Sequence, residues 1–479
     1  MAERQCRLTS RWAKSRGGWN HPGRPRGSVA TKPPEPPMGS LLATITMNDL
    51  EDSSPTFLSN SDAPKITDCT VVGSYNWLNR KSPTILIPGS PPAWAPTSSL
   101  DKLPPDSGSY FRDQNAARYA VHVFQPALEA ILKQDLKFDF SDIDIVACGS
   151  TLGNLRRFVS EQNKEFRFVV ESVGSAVFLV RRENSPAQTI PDVFGYGHTF
   201  PEANTKWGAE VKGSESHQRI LQYKFAGLSC LVRYEGDGYI PKLHPSHIGH
   251  GNSAAATPDD LIVSLKETMV SPATVSHTGQ TLTIEAGGEI VPQSAIFDLK
   301  TRTSKKEYQD VLNGELPRLW LAQIPNFVIG FQKNGVFDDV RVEDVREEVR
   351  KWEKEQEINL LKMLIAFAQG QADGRFEVVY RGGSLELREV GGEVNCCIPG
   401  GMKRRWTEGD SEQTGNGGWK EKRTARWKGR VIKAEEEEKE DEDEQERGES
   451  AAWSDDSDSE KDFTACSASS CGYCGHCGY

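Results

Sequence analysis

Apolar residues along the chain alternate with a period of two in short runs and recur with a period near 3.6 in a few longer stretches. The first spacing marks a strand with one packed face, the second an amphipathic helix. Residues 70–75 and 83–88 read as strands, the second closed by the turn-forming Gly89-Ser90-Pro91-Pro92. Residues 115–133 read as a helix, with Tyr119, Val123, Leu128, Ile131 and Leu132 at apolar positions. A strand over 142–148 enters Gly149-Ser150-Thr151, a helix covers 152–159, and 167–181 alternates into a hairpin about Gly174-Ser175. A helix is expected near 215–225, followed by a strand through Leu231 to Asp237. Residues 241–280, with His244, His247 and His250, read as a loop insertion, and 281–300 returns to the sheet. Beyond it come a helix over 305–321, a strand over 326–331, a long charged helix over 340–369 and a hairpin across Gly382-Gly383. The pattern predicts one α/β (α+β) domain over 66–390, a mixed central β-sheet flanked by helices.

Composition changes the picture at both ends. The chain of 479 residues is only 37% apolar, which points to sizeable disordered parts. Residues 1–65 are rich in Arg, Pro, Ser and Gly; the first 32 carry eight Lys/Arg and one acid, the look of a disordered basic tail. Residues 391–479 form a second tail, basic and Trp-bearing (Trp406, Trp419, Trp427) and then acidic. The formal charge of −11 arises there, since 435–462 holds 16 acids against 3 bases. The remainder is close to neutral and does not exclude a nucleic-acid partner. No apolar run is long enough for a membrane helix and no signal peptide is visible, so nucleus or cytoplasm is the expected location. Oligomeric state is left open. The last residues place Cys466, Cys471, Cys474 and Cys477 within one tetrahedral zinc set's spacing. A thiol-rich tail without a metal is the competing reading, because no apolar residue supports the segment.

The candidate chemistry lies between residues 228 and 323. Glu235 and Asp237 stand two apart, as do Asp298 and Lys300, and residues two apart on a strand share a face. An unpaired charge in an apolar strand costs several kcal/mol, roughly, so such groups want a metal or each other. Hard carboxylate oxygens suit Mg²⁺ or Mn²⁺, and a nearby lysine can orient a nucleophilic water. A cross-strand ion pair on a solvated face is the plainer alternative.

The order E-x-D, then D/E-x-K, then W-x-x-Q before an apolar strand ending in Gly-Phe resembles the decapping exoribonucleases of the PD-(D/E)xK nuclease fold. The residues carrying it are Glu235-Gly236-Asp237, Asp298-Leu299-Lys300, Trp320-Leu321-Ala322-Gln323 and Ile324 to Phe331. Asp144 to Cys148 resembles the family's D-I-V-x-W strand, and Gly195 to Glu202 its G-Y-K-F-E motif with residues inserted. The resemblance implies a metal-dependent hydrolase acting on phosphodiester or pyrophosphate bonds at RNA 5′ ends. It implies Glu202, Glu235, Asp237 and Asp298 as metal ligands, Lys300 beside the attacking water and Gln323 supporting the substrate. The chain departs from the family at Gly149, where an arginine is expected and Arg156 or Arg157 is the candidate replacement, and in the broken motif around Glu202. A catalytically altered protein binding RNA or a protein partner through the same cleft is therefore the alternative. The chain also resembles fungal proteins catalogued as geranylgeranyl diphosphate synthases, but that chemistry needs two DDxxD-like motifs, and only Asp338-Asp339 with Glu343 approaches one.

Overall fold

A computed structural model describes residues 33–407, except 53–64, 98–100, 108–109, 191–192, 226, 246–280 and parts of 356–374. The four C-terminal cysteines, the acidic run and most of the 241–280 segment lie outside the described residues. In chain order the first elements are β1 (Leu41–Ile45), α1 (Met47–Asp52), β2 (Ile66–Leu78), β3 (Thr84–Pro88) and β4 (Ala93–Trp94). Then come α2 (Gln114–Arg118), α3 (Gln125–Gln134), β5 (Ile145–Cys148), α4 (Gly149–Val159), β6 (Phe166–Val173) and β7 (Ala176–Arg181). They are followed by α5 (Thr199–Asn204), β8 (Thr205–Lys206), β9 (Ser214–Phe225), β10 (Leu228–Glu235), β11 (Gly238–Tyr239) and β12 (Thr283–Gly287). The last are β13 (Ile296–Thr303), α6 (Val311–Leu321), β14 (Asn326–Lys333), β15 (Val336–Asp344), α7 (Arg346–Lys354), β16 (Arg375–Tyr380), β17 (Leu385–Glu389) and α8 (Gly400–Thr407).

The α/β class holds, with two mixed sheets in place of a single central one. The larger has the order β1-β17-β16-β6-β7-β5-β10-β9-β2-β3-β12, the smaller β15-β14-β13-β11-β4-β8. Helices α4, α6 and α7 bring Leu155, Leu319, Trp320 and Trp352 into one core with Val232 of the larger sheet and Ile296, Phe327 and Ile329 of the smaller. Helix α3 covers the other face of the larger sheet, packing Leu128 and Ile131 against Val146, Ile220 and Leu231. Phe200 of α5 covers the outer face of the smaller sheet, beside Phe297, Leu299 and Val328. Each sheet thus buries both faces, which is why its strands read as near-continuous apolar runs.

Several elements differ from the sequence reading. Residues 214–225 form β9, a strand between β10 and β2, where a helix was expected. Ser216, His217, Gln218 and Arg219 are buried there, so their polarity does not mark a solvated helix face. Residues 336–344 are β15, an edge strand; of the expected long helix, Arg346–Lys354 is α7, and Leu360, Met363, Leu364 and Phe367 further along are helical and buried in the same core. The expected helix over 115–133 is divided at Tyr119, because Pro126 sits in the first turn of α3, the one helical place that tolerates it. Described elements also lie outside 66–390, at β1 and α8. Strand β1 pairs along β17, and Trp406 of α8 is buried against Phe140 and Phe178.

Candidate functional site

The chain crosses from one sheet to the other at Glu235-Gly236-Asp237-Gly238, and the site is built on that crossing. Glu235 ends β10 in the larger sheet, and Gly238 opens β11 in the smaller. The two acids were expected on one face of one strand, but they sit on either side of the crossing. Glu235 accepts from Gln218 Nε2 at 3.3 Å, whereas Asp237 Oδ2 accepts from the Leu299 backbone N–H at 2.7 Å. The crossing is tight. The Gly236 N–H is bonded to the His217 carbonyl, and a Cβ at Gly238 would lie 2.3 Å from Phe297 Cζ. No larger residue fits there without moving the ring.

Strand β13 carries its charges inward. Ile296, Asp298, Lys300 and Arg302 alternate on the face toward α6, while Phe297 and Leu299 pack on the outer one. Helix α6 answers with Glu315 and Arg318. Arg318 Nη2 is paired with Asp298 Oδ1, and Arg318 Nε lies 3.4 Å from Glu315 Oε2. Glu315 is fully buried and also faces Arg302 at 3.3 Å and Lys300 at 3.9 Å. Among these groups three carboxylates (Asp237, Asp298, Glu315) meet three cations (Lys300, Arg302, Arg318). The cation on the solvent side is Arg318, whose side chain is 28% exposed against 3% for Asp298.

Burial pushes the Asp298 carboxyl up to about 7; Asp237 and Glu315 push it further in that direction, and Arg318 and Lys300 oppose. The folded state therefore binds this proton more tightly than the unfolded chain. The stability it contributes is full at pH below the ordinary aspartate value and is lost as pH rises through about 7. With divalent ions chelated, Asp298→Asn is expected to gain in melting temperature relative to the parent as pH goes from 5 to 8. A difference that stays flat across that range in paired melts would refute a proton on Asp298.

Asp237 of the crossing, Asp298 of β13 and the Lys300 ammonium thus come together, while the other expected members lie elsewhere. Glu202 is exposed on α5, the helix on the outer face of the smaller sheet, and its charge acts on Tyr110. The contacts of Asp298 do not include it. Gln323 ends α6 in a left-handed conformation, φ +48°. Its side chain turns back to the Trp320 carbonyl at 2.6 Å, and its own carbonyl accepts from Gln293. It supports the loop that ends α6. Arg156 lies over the Trp352 ring at 5.2 Å and Arg157 is paired with Asn154. Asp338, Asp339 and Glu343 lie along the edge strand β15, with Arg341 on Asp339, and among the described elements no all-helical cavity surrounds them.

The donors fit a hard divalent cation with few protein ligands. Among the described residues no three His, Cys, Asp or Glu side chains are grouped closely enough to hold a metal. Mg²⁺, however, is commonly bound through one or two carboxylates plus waters and substrate oxygens. Asp237 and Asp298 are the two carboxylates that would hold such an ion at this junction, with Arg318 paired to Asp298 from the exposed side.

Sequence reasoning missed Glu315, Arg318 and Arg302. Their signal was present: Arg302 continues the Asp298-x-Lys300 alternation, and Glu315-x-x-Arg318 is an i,i+3 pair facing it.

A family model described as "Domain of unknown function (DUF8563)" matches residues 46–375. No curated protein matches the sequence. Among solved structures, Rai1 of S. pombe in complex with 3′-FADP is similar at 10% identity and a TM-score of 0.44, covering 73% of this chain and 100% of that one. Rai1 of Scheffersomyces stipitis, in complex with (3′-NADP)+ and calcium ion, is similar at 14% identity and 0.43, covering 80% and 99%. Rai1 of Candida albicans, in complex with pU5-Mn2+, is similar at 12% identity and 0.42, covering 80% and 100%. Likeness this loose carries no residue roles across.

Proposed function

We propose that this chain, which belongs to the DUF8563 family, is a divalent-metal-dependent hydrolase of phosphodiester or pyrophosphate bonds at RNA 5′ ends. The observation that carries the proposal is the junction of the two sheets, where the buried Asp298 stands within electrostatic reach of Asp237 and Lys300 and is neutralised by the half-exposed Arg318. A carboxyl with an affinity for protons near neutrality, closed off by a cation that can swing into water, is a site a stronger cation can take.

In this reading Asp237 and Asp298 hold Mg²⁺ or Mn²⁺, with Glu235 at the rim. Such an ion would supply an acidified water and offset charge on the phosphate oxygens. The chain's own residues do the rest. The Leu299 N–H fixes the Asp237 carboxylate through Oδ2. Lys300 sets a positive charge two residues along the strand from Asp298, where it offsets negative charge gathering on the phosphate. Glu315 holds Lys300 and Arg302 in place. Arg318, once turned away from Asp298, is a planar fork suited to a phosphate.

A non-catalytic RNA- or protein-binding role is the second reading, favoured by the balance of three carboxylates and three cations already in the cluster. The two separate in an assay on capped, triphosphorylated and monophosphorylated RNAs with and without Mg²⁺ or Mn²⁺, with the Asp298 variant as control. Metal-dependent release of a 5′ product by the parent alone supports the hydrolase. No product from any of the three substrates would remove it.

A further inference from the structure

A second charged site lies at the ends of β6, β7 and β16, outside the acidic cluster. A cavity of about 110 Å³ is lined there by Arg112, Lys164, Arg167, Arg181, Arg182 and Arg381. One enclosed water needs only ~10–15 Å³ on this measure, so a group several times larger fits. Against the six cations the lining sets three carboxylates, Glu35, Glu165 and Glu183; Glu35 and Glu165 are exposed, and Glu35 pairs with Arg381 and lies 3.2 Å from Arg167. Arg112 and Lys164 are 8% and 7% exposed.

The guanidinium groups are fixed from behind. Glu377, fully buried in β16, takes Arg167 in a two-point fork at 2.8 and 2.9 Å and Arg182 at 2.9 Å. Glu183 takes Arg181 and, at 3.3 Å, Arg112. Among the described lining residues, even with Glu377 included, six cations face four carboxylates in a half-enclosed space. Gathering like charges away from water is costly unless an anion completes the set. Arginine forks held rigidly in a concave wall are the usual means of binding phosphate.

The cavity also lies at the correct end of the sheet. Strands β7, β5 and β10 run parallel, so Arg181 at the end of β7 and Glu235 at the end of β10 share one edge. The strand order β7-β5-β10 separates them by two strand spacings, about 10 Å. Asn154 of α4, the helix that follows β5, lines the cavity from that side.

We propose that this cavity is a phosphate pocket for the backbone of a single-stranded RNA whose 5′ end reaches the acidic junction. The RNA identity of the ligand rests on the hydrolase reading; the phosphate chemistry of the pocket does not.

The test is fluorescence anisotropy of the full chain with a labelled single-stranded RNA of about ten nucleotides, in EDTA so that no hydrolysis occurs. Lys164→Met with Arg381→Ala is expected to weaken binding at least tenfold. It should also flatten the plot of log affinity against log salt by about 0.7 for each phosphate that is no longer neutralised. Lys333→Ala, at an exposed position of β14 outside the pocket lining, should bind as the parent does, and millimolar inorganic phosphate should compete. Arg381→Ala alone, at a half-exposed position, keeps the test valid if the buried Lys164 variant fails to fold by circular dichroism. Parental affinity and salt slope in the pocket variants, or no RNA binding by the parent, overturns the proposal. So does a pocket that takes inorganic phosphate without displacing RNA. RNA binding that depends on the pocket in a protein that hydrolyses nothing would retain the pocket and discard only the hydrolase.

Discussion

Asp298→Ala and Lys300→Ala are each expected to lower metal-dependent hydrolysis of an RNA 5′ end by about 10²–10³-fold or more, the scale of losing one charge-stabilising group at a reacting phosphate or carbonyl. Folding should survive both changes, for a reason visible in the cluster. Removing Asp298 deletes a carboxyl whose burial already raises its proton affinity, and its partner Arg318 is 28% exposed and can turn to water. Removing Lys300 leaves Glu315 with Arg302 and Arg318. Neither variant strands a buried charge, so unaltered circular dichroism and cooperative melting should accompany the loss of activity. Rate constants within a few-fold of the parent in either variant would remove the assignment of these two residues.

Glu315→Ala is expected to do the opposite kind of damage. Glu315 is fully buried and is the shared counter-charge of Lys300 and Arg302, both also buried. Breaking a buried pair by deleting one partner costs about 3–5 kcal/mol, because the other charge is left in a poor solvent. Here two cations lose their partner together, so the lower end of that range is the minimum expected. The check is urea unfolding, followed by a probe of the Trp320–Trp352 pair that packs beside α6 (rings 5.4 Å apart). A midpoint shift equivalent to under about 1 kcal/mol would show that Lys300 and Arg302 do not depend on Glu315.

Much of this arrangement was legible in the sequence, and what was not had identifiable causes. Strands β2, β3, β6, β7, β13 and β14 announce themselves as apolar runs between turn residues, and Asp298-x-Lys300 appears at the expected place on one of them. Strand β9 was hidden because its buried polar residues imitate a solvated helix face. His217 pairs with Asn76, and Arg219 reaches the Val291 carbonyl, partners 141 and 72 residues away that no local pattern reveals. Glu235 and Asp237 looked like neighbours on one strand because the period-two rule assumes that the strand continues. Gly236 instead passes the chain to a second sheet. Arg318 was overlooked because its meaning comes from β13, not from its own helix, where Pro317 beside it suggests only a break. Residue types showed that charges would meet; which ones meet depended on how two sheets share a helical layer.

All of the chemistry proposed here depends on a divalent ion entering between Asp237 and Asp298 and displacing Arg318. Mn²⁺ binding followed by electron paramagnetic resonance tests this most directly, on the parent and on Asp237→Ala and Asp298→Ala. The expected result is one Mn²⁺ site in the parent that strengthens as pH rises through about 7, as the Asp298 proton leaves, and that is lost in both variants. A parent that binds no Mn²⁺ at millimolar concentration, or a site that survives both substitutions, would contradict it and leave the cluster a closed ion-pair network.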